Sequence, residues 1–230
     1  MRYLGIALAG LSLIALPCAA SATEFGGVEF PQGAVSFADG VVSYTPGTTA
    51  PSAPHQGAFN ALGIPNYAGV NSCASQATCS FVSLGDGGSL VVQFIDNLLT
   101  GSGTAAADLW IFEVGPDIED MFVDISVDGL SWLSVGAVGG ATAGVDLDSF
   151  GYGPDWSFAF VRLTDDTTKD GQSGSTVGAD IDAVGAISTR RVTGGVPEPS
   201  TWAMLLLGFG AVGALLRSSR RKARRLLAFV

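Results

Sequence analysis

The chain has 230 residues, 47% of them hydrophobic and only 14% charged, with 32 glycines and a formal net charge of −10. The charge is unevenly placed: between Thr23 and Thr189, twenty Asp and Glu accompany only Arg162 and Lys169, leaving that segment near −18. A field of that sign repels phosphate backbones and anionic membrane surfaces, so no nucleic-acid partner is expected; it suits an extracellular domain, divalent cations or neutral polysaccharide.

From the N-terminus, Arg2 supplies a positive n-region, Leu4 to Leu16 an apolar h-region, and Ala20-Ser21-Ala22 an A-x-A cleavage site. Residues 1–22 therefore read as a secretory signal peptide, taken by the Sec translocon and cut by signal peptidase, so that the mature chain starts at Thr23. Cys18 follows Pro17, where a lipidated signal needs a small residue, and leaves with the signal.

Residues 23–189 are long enough for one exported domain with a sizeable core. Strands are expected at Val41–Tyr44, Ser89–Ile95, Leu109–Val114, Met121–Val127, Ser131–Val138, Ser157–Leu163 and Asp180–Ile187. Most alternate: Leu90, Val92 and Phe94 share one face, and Met121, Val123 and Ile125 another. Asp128-Gly129 between two such runs is a hairpin signal. Short strands with Gly-rich turns and no helical crossovers imply an all-β antiparallel sandwich. The segment Thr45 to Gly69, rich in Pro, Gly, Ala and Asn, reads as a long surface excursion.

Once Cys18 is removed, Cys73 and Cys79 remain, an even pair in an exported chain. They are expected to form a local disulfide. With no His or third Cys near them in sequence, they make a poor zinc site.

The acidic residues are the candidates for site chemistry. Asp146-Leu147-Asp148 and Asp180-Ile181-Asp182 repeat one D-x-D pattern, and in an extended strand each puts two carboxylates on one face. Calcium is the fitting extracellular counter-charge, and Asp86, Asp108, Asp180 and Asp182 are the expected ligands. The segment Asp165–Gly171 lacks EF-hand spacing, and Lys169 opposes a cation there. The lone histidine, His55, reads as a surface loop residue; no nucleophile elbow or phosphate loop is present, so no enzyme is expected.

The C-terminus has three parts. Pro197-Glu198-Pro199 sits in a stiff linker spanning 190–200. The apolar run Thr201 to Leu216 would span about 24 Å as a helix, a little short for a hydrocarbon core of roughly 30 Å. Arg217, Arg220, Arg221, Lys222, Arg224 and Arg225 then hold a basic tail, 217–230, in the cytoplasm.

The order of these parts, with Trp202 and the small-residue run from Leu205 to Leu216, closely resembles the PEP-CTERM sorting domain of Gram-negative bacteria. The resemblance implies recognition by an exosortase, anchoring in the inner membrane before processing, and then release to the cell surface or extracellular matrix. It also implies association with exopolysaccharide and biofilm. A second resemblance covers roughly residues 80 to 188. Ser83–Leu90, Asp108–Glu113, Val123–Trp132 and Asp180–Val184 look like discoidin-like, galactose-binding-type jelly rolls of bacterial surface proteins. That likeness implies a jelly-roll fold, glycan binding through loops at one end, and a structural calcium. Trp110, Trp132, Trp156 and Tyr152 are then candidate sugar platforms, with Trp110 and Trp132 expected in the core. The reading is a non-catalytic exported surface or matrix protein that binds polysaccharide or packs within it. The alternative is a secreted carbohydrate-active enzyme on a similar sandwich, which product formation on a glycan panel would reveal.

Overall fold

Alternation of apolar and polar residues drives the chain into short strands, and in a computed structural model these assemble into an antiparallel β-sandwich. The structure describes residues 22–71, 73–114, 119–168 and 173–191, with 204, 206–210 and 217 beyond them. Residues 1–21 of the signal peptide, Lys169 to Gly171, the Pro197-Glu198-Pro199 handle, and most of the apolar run and basic tail lie outside the described residues.

The strands are β1 (Thr23–Phe25), β2 (Val28–Phe30), β3 (Gly40–Thr45), β4 (Val82–Ser83), β5 (Ser89–Gln93), β6 (Asn97–Leu99), β7 (Leu109–Glu113), β8 (Asp120–Ser126), β9 (Leu133–Gly139), β10 (Thr142–Val145), β11 (Phe160–Asp165), β12 (Asp180–Ala186) and β13 (Thr189–Arg191). One sheet has four strands in the order β10-β7-β12-β4, and the other has five in the order β3-β5-β11-β8-β9. Each neighbouring pair is antiparallel. Val82, Leu109, Ile111, Val145, Ile181 and Val184 from the first sheet share one buried cluster with Leu90, Val92, Met121, Val123, Ile125, Val161 and Leu163 from the second. That shared cluster is the inside of the sandwich, as the alternation of β5 and β8 requires. The all-β, antiparallel expectation holds.

The outer face of the four-stranded sheet is not left to solvent. The β1–β2 hairpin, which composition does not announce, lays Phe30 over it beside Phe37, Phe112 and Ala183. Gly185 makes this possible, since a Cβ there would sit 2.7 Å from the Phe30 ring and 2.8 Å from that of Phe37. On the five-stranded sheet, Arg162 forks onto Asp124 at 3.0 and 2.8 Å and lies 4.5 Å from the centre of the Trp132 ring. The hairpin expected at Asp128-Gly129 joins β8 to β9. Asp128 Oδ1 accepts the Leu130 and Ser131 N–H groups at 2.9 Å, and Gly129 takes φ +72°. Those hydrogen bonds hold the Asp128 carboxyl below its ordinary range.

Two sequence expectations need correction. The expected strand Ser157–Leu163 runs from Phe160 to Asp165, because Phe158 pairs instead with Leu99 of β6, the two exchanging N–H and carbonyl bonds at 2.9 Å. The segment Thr45 to Gly69 is not simply a surface excursion: Ala61 is buried in the core with Ala58 and Leu62 packed beside it. Gly63 N–H donates to the Ala38 carbonyl at 3.0 Å, and Asn60 Nδ2 donates to the Gln76 and Phe81 carbonyls, tying the segment down.

The chain divides into two units at Val192. In the second, Met204 and 206–210 are helical. Met204, Leu206, Leu207 and Phe209 are exposed there. Among the described residues no helix is long and apolar enough to cross a membrane.

Candidate functional site

The loops that lead into β7 and out of β10 bring three carboxylates together. Asp108 is wholly buried just before β7, and Leu147, wholly buried in the core, pins the following turn against it. The Leu147 N–H donates to Asp108 Oδ2 at 3.0 Å, so the two aspartates flanking Leu147 are drawn to the same place. Oxygens of Asp108, Asp146 and Asp148 lie within 4.8 Å of one another. Glycines make room: a Cβ at Gly101 would fall 2.2 Å from the Tyr152 carbonyl and 2.9 Å from Asp148 Oδ2. Asp148 Oδ2 accepts the Gly103 N–H at 2.9 Å, and Asp146 Oδ1 accepts the Asp148 N–H at 3.0 Å.

What this cluster lacks is counter-charge. None of the three is in an ion pair among the described residues. Arg190, a cation of the neighbouring segment, donates to the Pro154 carbonyl instead. Asp108 Oδ1 is buried without a hydrogen-bond partner. Burial raises the Asp108 carboxyl above the ordinary range and the Asp148 charge adds to the rise, against lowering by Ser188, Leu147 and Ser102. The two serine hydroxyls lie close by, but no hydrogen bond of normal geometry reaches Oδ1. A buried carboxylate with one oxygen within 4.8 Å of two further carboxylates is a donor set that a hard, oxygen-seeking cation such as calcium takes. In the loop that follows, Trp156 is 46% exposed and stacks on Phe158, with Tyr152 edge-on to both.

The other expected ligands are elsewhere. Asp86 sits in the turn before β5, where Thr48 Oγ1 donates to its Oδ2 at 3.2 Å. Asp180 and Asp182 share β12 but do not act together, because the register slips between Ile181 and Ala183. Ile181 and Val184 both face the core while Ala183 faces the outer aromatic cluster, so a bulge at Asp182 breaks the alternation. Asp182 accepts the Asn66 N–H at 3.1 and 3.0 Å and the Tyr67 N–H at 3.1 Å, anchoring the loop that crosses there. Burial raises its carboxyl against those same bonds. Asp180 is buried near Ser83, Glu119 and Asp165. Its carboxyl is pushed up to about 8, mainly by burial, against a lowering by Ser83 and with added repulsion from the two acids. Among the described residues, no group of three ligand atoms within 4.8 Å includes Asp86, Asp180 or Asp182.

A cleft of about 260 Å³ opens beside Asp182, lined by Tyr67, Phe112, Glu113, Pro65 and Thr142. The expected disulfide joins Cys73 and Cys79. His55 is not the surface loop residue expected from its neighbours: it is 5% exposed, 5.4 Å from the Phe81 ring, and within 4.8 Å of both sulfurs. Cys73 lies eighteen positions further along the chain, so no spacing in the sequence signals the meeting. Of the candidate platforms, Trp110 is half-buried in β7 against the outer aromatic cluster; Trp132, expected in a strand and in the core, instead precedes β9 and lies half-buried under Arg162; Trp156 is exposed.

Solved structures similar to this chain include the C-terminal domain of a chitobiase from Bacteroides fragilis. It is 16% identical, with 67% of this chain and 95% of that one covered at a TM-score of 0.35. Another is CpGH89CBM32-6, produced by Clostridium perfringens, at 12% identity over 47% of this chain and 74% of that one, with a TM-score of 0.30. Likenesses this slight carry no argument about the present chain. No curated protein matches its sequence significantly. Residues 195–222 match the PEP-CTERM protein-sorting motif, which signals export and membrane-anchored processing. The chain carries a PEP-CTERM sorting motif behind an all-β, antiparallel domain.

Proposed function

We propose that this is a non-catalytic protein of the bacterial surface or extracellular matrix, exported through its signal peptide, held in the inner membrane by residues 201–216, and processed by an exosortase at Pro197-Glu198-Pro199. The motif match at 195–222 is the observation that carries this reading. It is supported by an exported segment near −18 with a core closed by two sheets, a form suited to life among neutral polysaccharides. Replacing Glu198 with Ala, or both prolines with Ala, leaves uncleaved protein in the inner membrane. Maturation and release of those variants at wild-type levels would overturn the reading.

The sandwich binds one structural calcium at Asp108, Asp146 and Asp148, a site that keeps only Asp108 of the expected set Asp86, Asp108, Asp180 and Asp182. The support is the wholly buried Asp108, one oxygen of which lies within 4.8 Å of oxygens of Asp146 and Asp148, none of the three being in an ion pair among the described residues. Backbone carbonyls and water complete the 6–8 oxygens that calcium takes. Trp156 lies in the same loop, so titrating the full chain with calcium after EDTA treatment shifts tryptophan emission saturably. Absence of any saturable change with either fluorescence or calorimetry would remove the cation. Polysaccharide association rests on Trp156 and Tyr152 at this end of the sandwich. Retention of the full chain on a glycan panel without product formation supports a binding role, and product formation would favour a carbohydrate-active enzyme.

A further inference from the structure

We propose that the Cys73–Cys79 disulfide masks a second, chemically different metal site, which reduction opens to a thiophilic ion such as Zn²⁺, with Cys73, Cys79 and His55 as ligands. Both sulfurs and a ring nitrogen of His55 lie within 4.8 Å of one another. The His55 ring is already oriented. Ser52 Oγ is 2.8 Å from Nδ1, and Asn71 lies on the Nε2 side, where its Oδ1 also accepts the Cys73 N–H at 3.3 Å. Nε2 lies 3.2–3.3 Å from the Asn71 amide, the same side chain that holds the Cys73 N–H, so a bound ion would take the place of Asn71 on that nitrogen while Ser52 holds the opposite one, the arrangement in which a ligating imidazole is fixed through its other N–H.

The loop that carries the sulfurs is held by more than the disulfide. Ser75 and Thr78 cap each other across the short turn Gln76–Thr78. Asn60 Nδ2 donates to the Gln76 carbonyl at 3.0 Å, and Gln76 Nε2 donates to the Ala53 carbonyl at 3.1 Å. None of these bonds involves a sulfur, so on this proposal they keep the two thiols beside His55 once the disulfide is opened. Phe81 and Tyr67 pack against the cluster and exclude solvent from one side. Two thiolates and an imidazole form the soft donor set that selects zinc and rejects calcium, with a fourth position left for water or the Asn71 amide.

The chemistry balances with a dithiol as reductant. The dithiol passes two electrons and two protons to the disulfide, leaving as a disulfide itself and giving Cys73 and Cys79 as thiols. Metal binding then displaces both thiol protons to solvent. In the oxidised protein the sulfurs are bonded to each other and hold no ion. The site is a consequence of the oxidation state and owes nothing to the acidic cluster.

The full chain in detergent, with excess calcium present to occupy carboxylates, is reduced with a phosphine and titrated with Co²⁺. The expected result is one equivalent bound, with a thiolate-to-cobalt charge-transfer band that Zn²⁺ abolishes; the oxidised chain shows no such band. His55→Gln loses the saturable band, and Ser52→Ala, a positioning change, weakens cobalt affinity about tenfold. A second readout guards against loss of the fold: zinc raises the melting temperature of the reduced wild type and not that of reduced His55→Gln. Equal cobalt affinity in wild type and His55→Gln, or no band in the reduced wild type, overturns the proposal. So does unfolding of the loop on reduction, because the thiols would then bind cobalt without regard to His55.

Discussion

Asp146-Leu147-Asp148 and Asp180-Ile181-Asp182 are nearly the same three residues, yet the fold puts them to opposite uses. In the first, the central leucine is buried and the two aspartates turn outward to meet Asp108, gathering charge that nothing in the described residues neutralises. In the second, the central isoleucine is buried too, but a bulge separates the aspartates. One is left to burial among other acids and the other is consumed by two backbone N–H groups. The lesson is that a D-x-D pattern fixes neither a face nor a ligand set; the hydrogen-bond register of the strand decides both.

The sharpest way to test that contrast is pH. Asp180 has its carboxyl pushed up to about 8 in the folded state, against an ordinary value near 3.8. Asp180 in the folded chain then keeps a proton that it releases on unfolding. Its contribution to stability is therefore full below about pH 4 and is lost as pH rises toward about 8, by up to about 1.4 kcal/mol per unit, levelling off above. Asp180→Asn should flatten this fall, as chemical denaturation between about pH 5 and pH 9 would show. An unchanged slope would mean that Asp180 is ionised in the fold.

Next in size is Asp182. Its removal in Asp182→Ala strands the Asn66 and Tyr67 N–H groups and costs about 3 kcal/mol. The same substitution should leave any calcium response intact, because Asp182 is no part of the proposed site at Asp108, Asp146 and Asp148. A loss below about 1 kcal/mol would contradict the anchoring role. The disulfide comes after it: Cys73→Ser with Cys79→Ser should cost about 2 kcal/mol, since the loop it closes is short. The smallest effect belongs to Asp148→Asn in EDTA, within about 1 kcal/mol of wild type, because relief of repulsion offsets a weakened bond from Gly103. A large loss there would make Asp148 a structural residue like Asp182.

Much of the sandwich was legible beforehand. The alternation in Ser89–Ile95 and Met121–Val127, and the Asp-Gly turn after it, carry strand, face and connection locally. Strands β1, β2, β4, β6, β10 and β13 were not legible, being two to four residues long and stabilised by what they pair with or cover. Phe30 lies on the outer sheet only because Gly185 lets it, and no local pattern links residues so far apart. The site divides in the same way. Cys73 and Cys79 announce their pairing as the two cysteines left once Cys18 is removed, and Asp108 was among the expected ligands. Its partners Asp146 and Asp148 were visible as a pair but not as its neighbours, because a long-range hydrogen bond from Leu147 brings them there. His55 was misread because burial of a loop depends on the surface beneath it. The sorting end is the opposite case, since a linear signal is written in the order of its residues.

The central claim is that the first D-x-D, and not the second, serves a cation. It is tested most directly by the melting temperature of the full chain and of Asp148→Asn and Asp182→Asn, each in EDTA, calcium and magnesium at matched ionic strength. Calcium selectively raises the melting temperature of wild type and of Asp182→Asn, by the equivalent of about 2.7 kcal/mol at ~100-fold excess over the dissociation constant, and leaves Asp148→Asn unmoved. Equal shifts from calcium and magnesium, or a calcium shift that survives in Asp148→Asn and vanishes in Asp182→Asn, would contradict it.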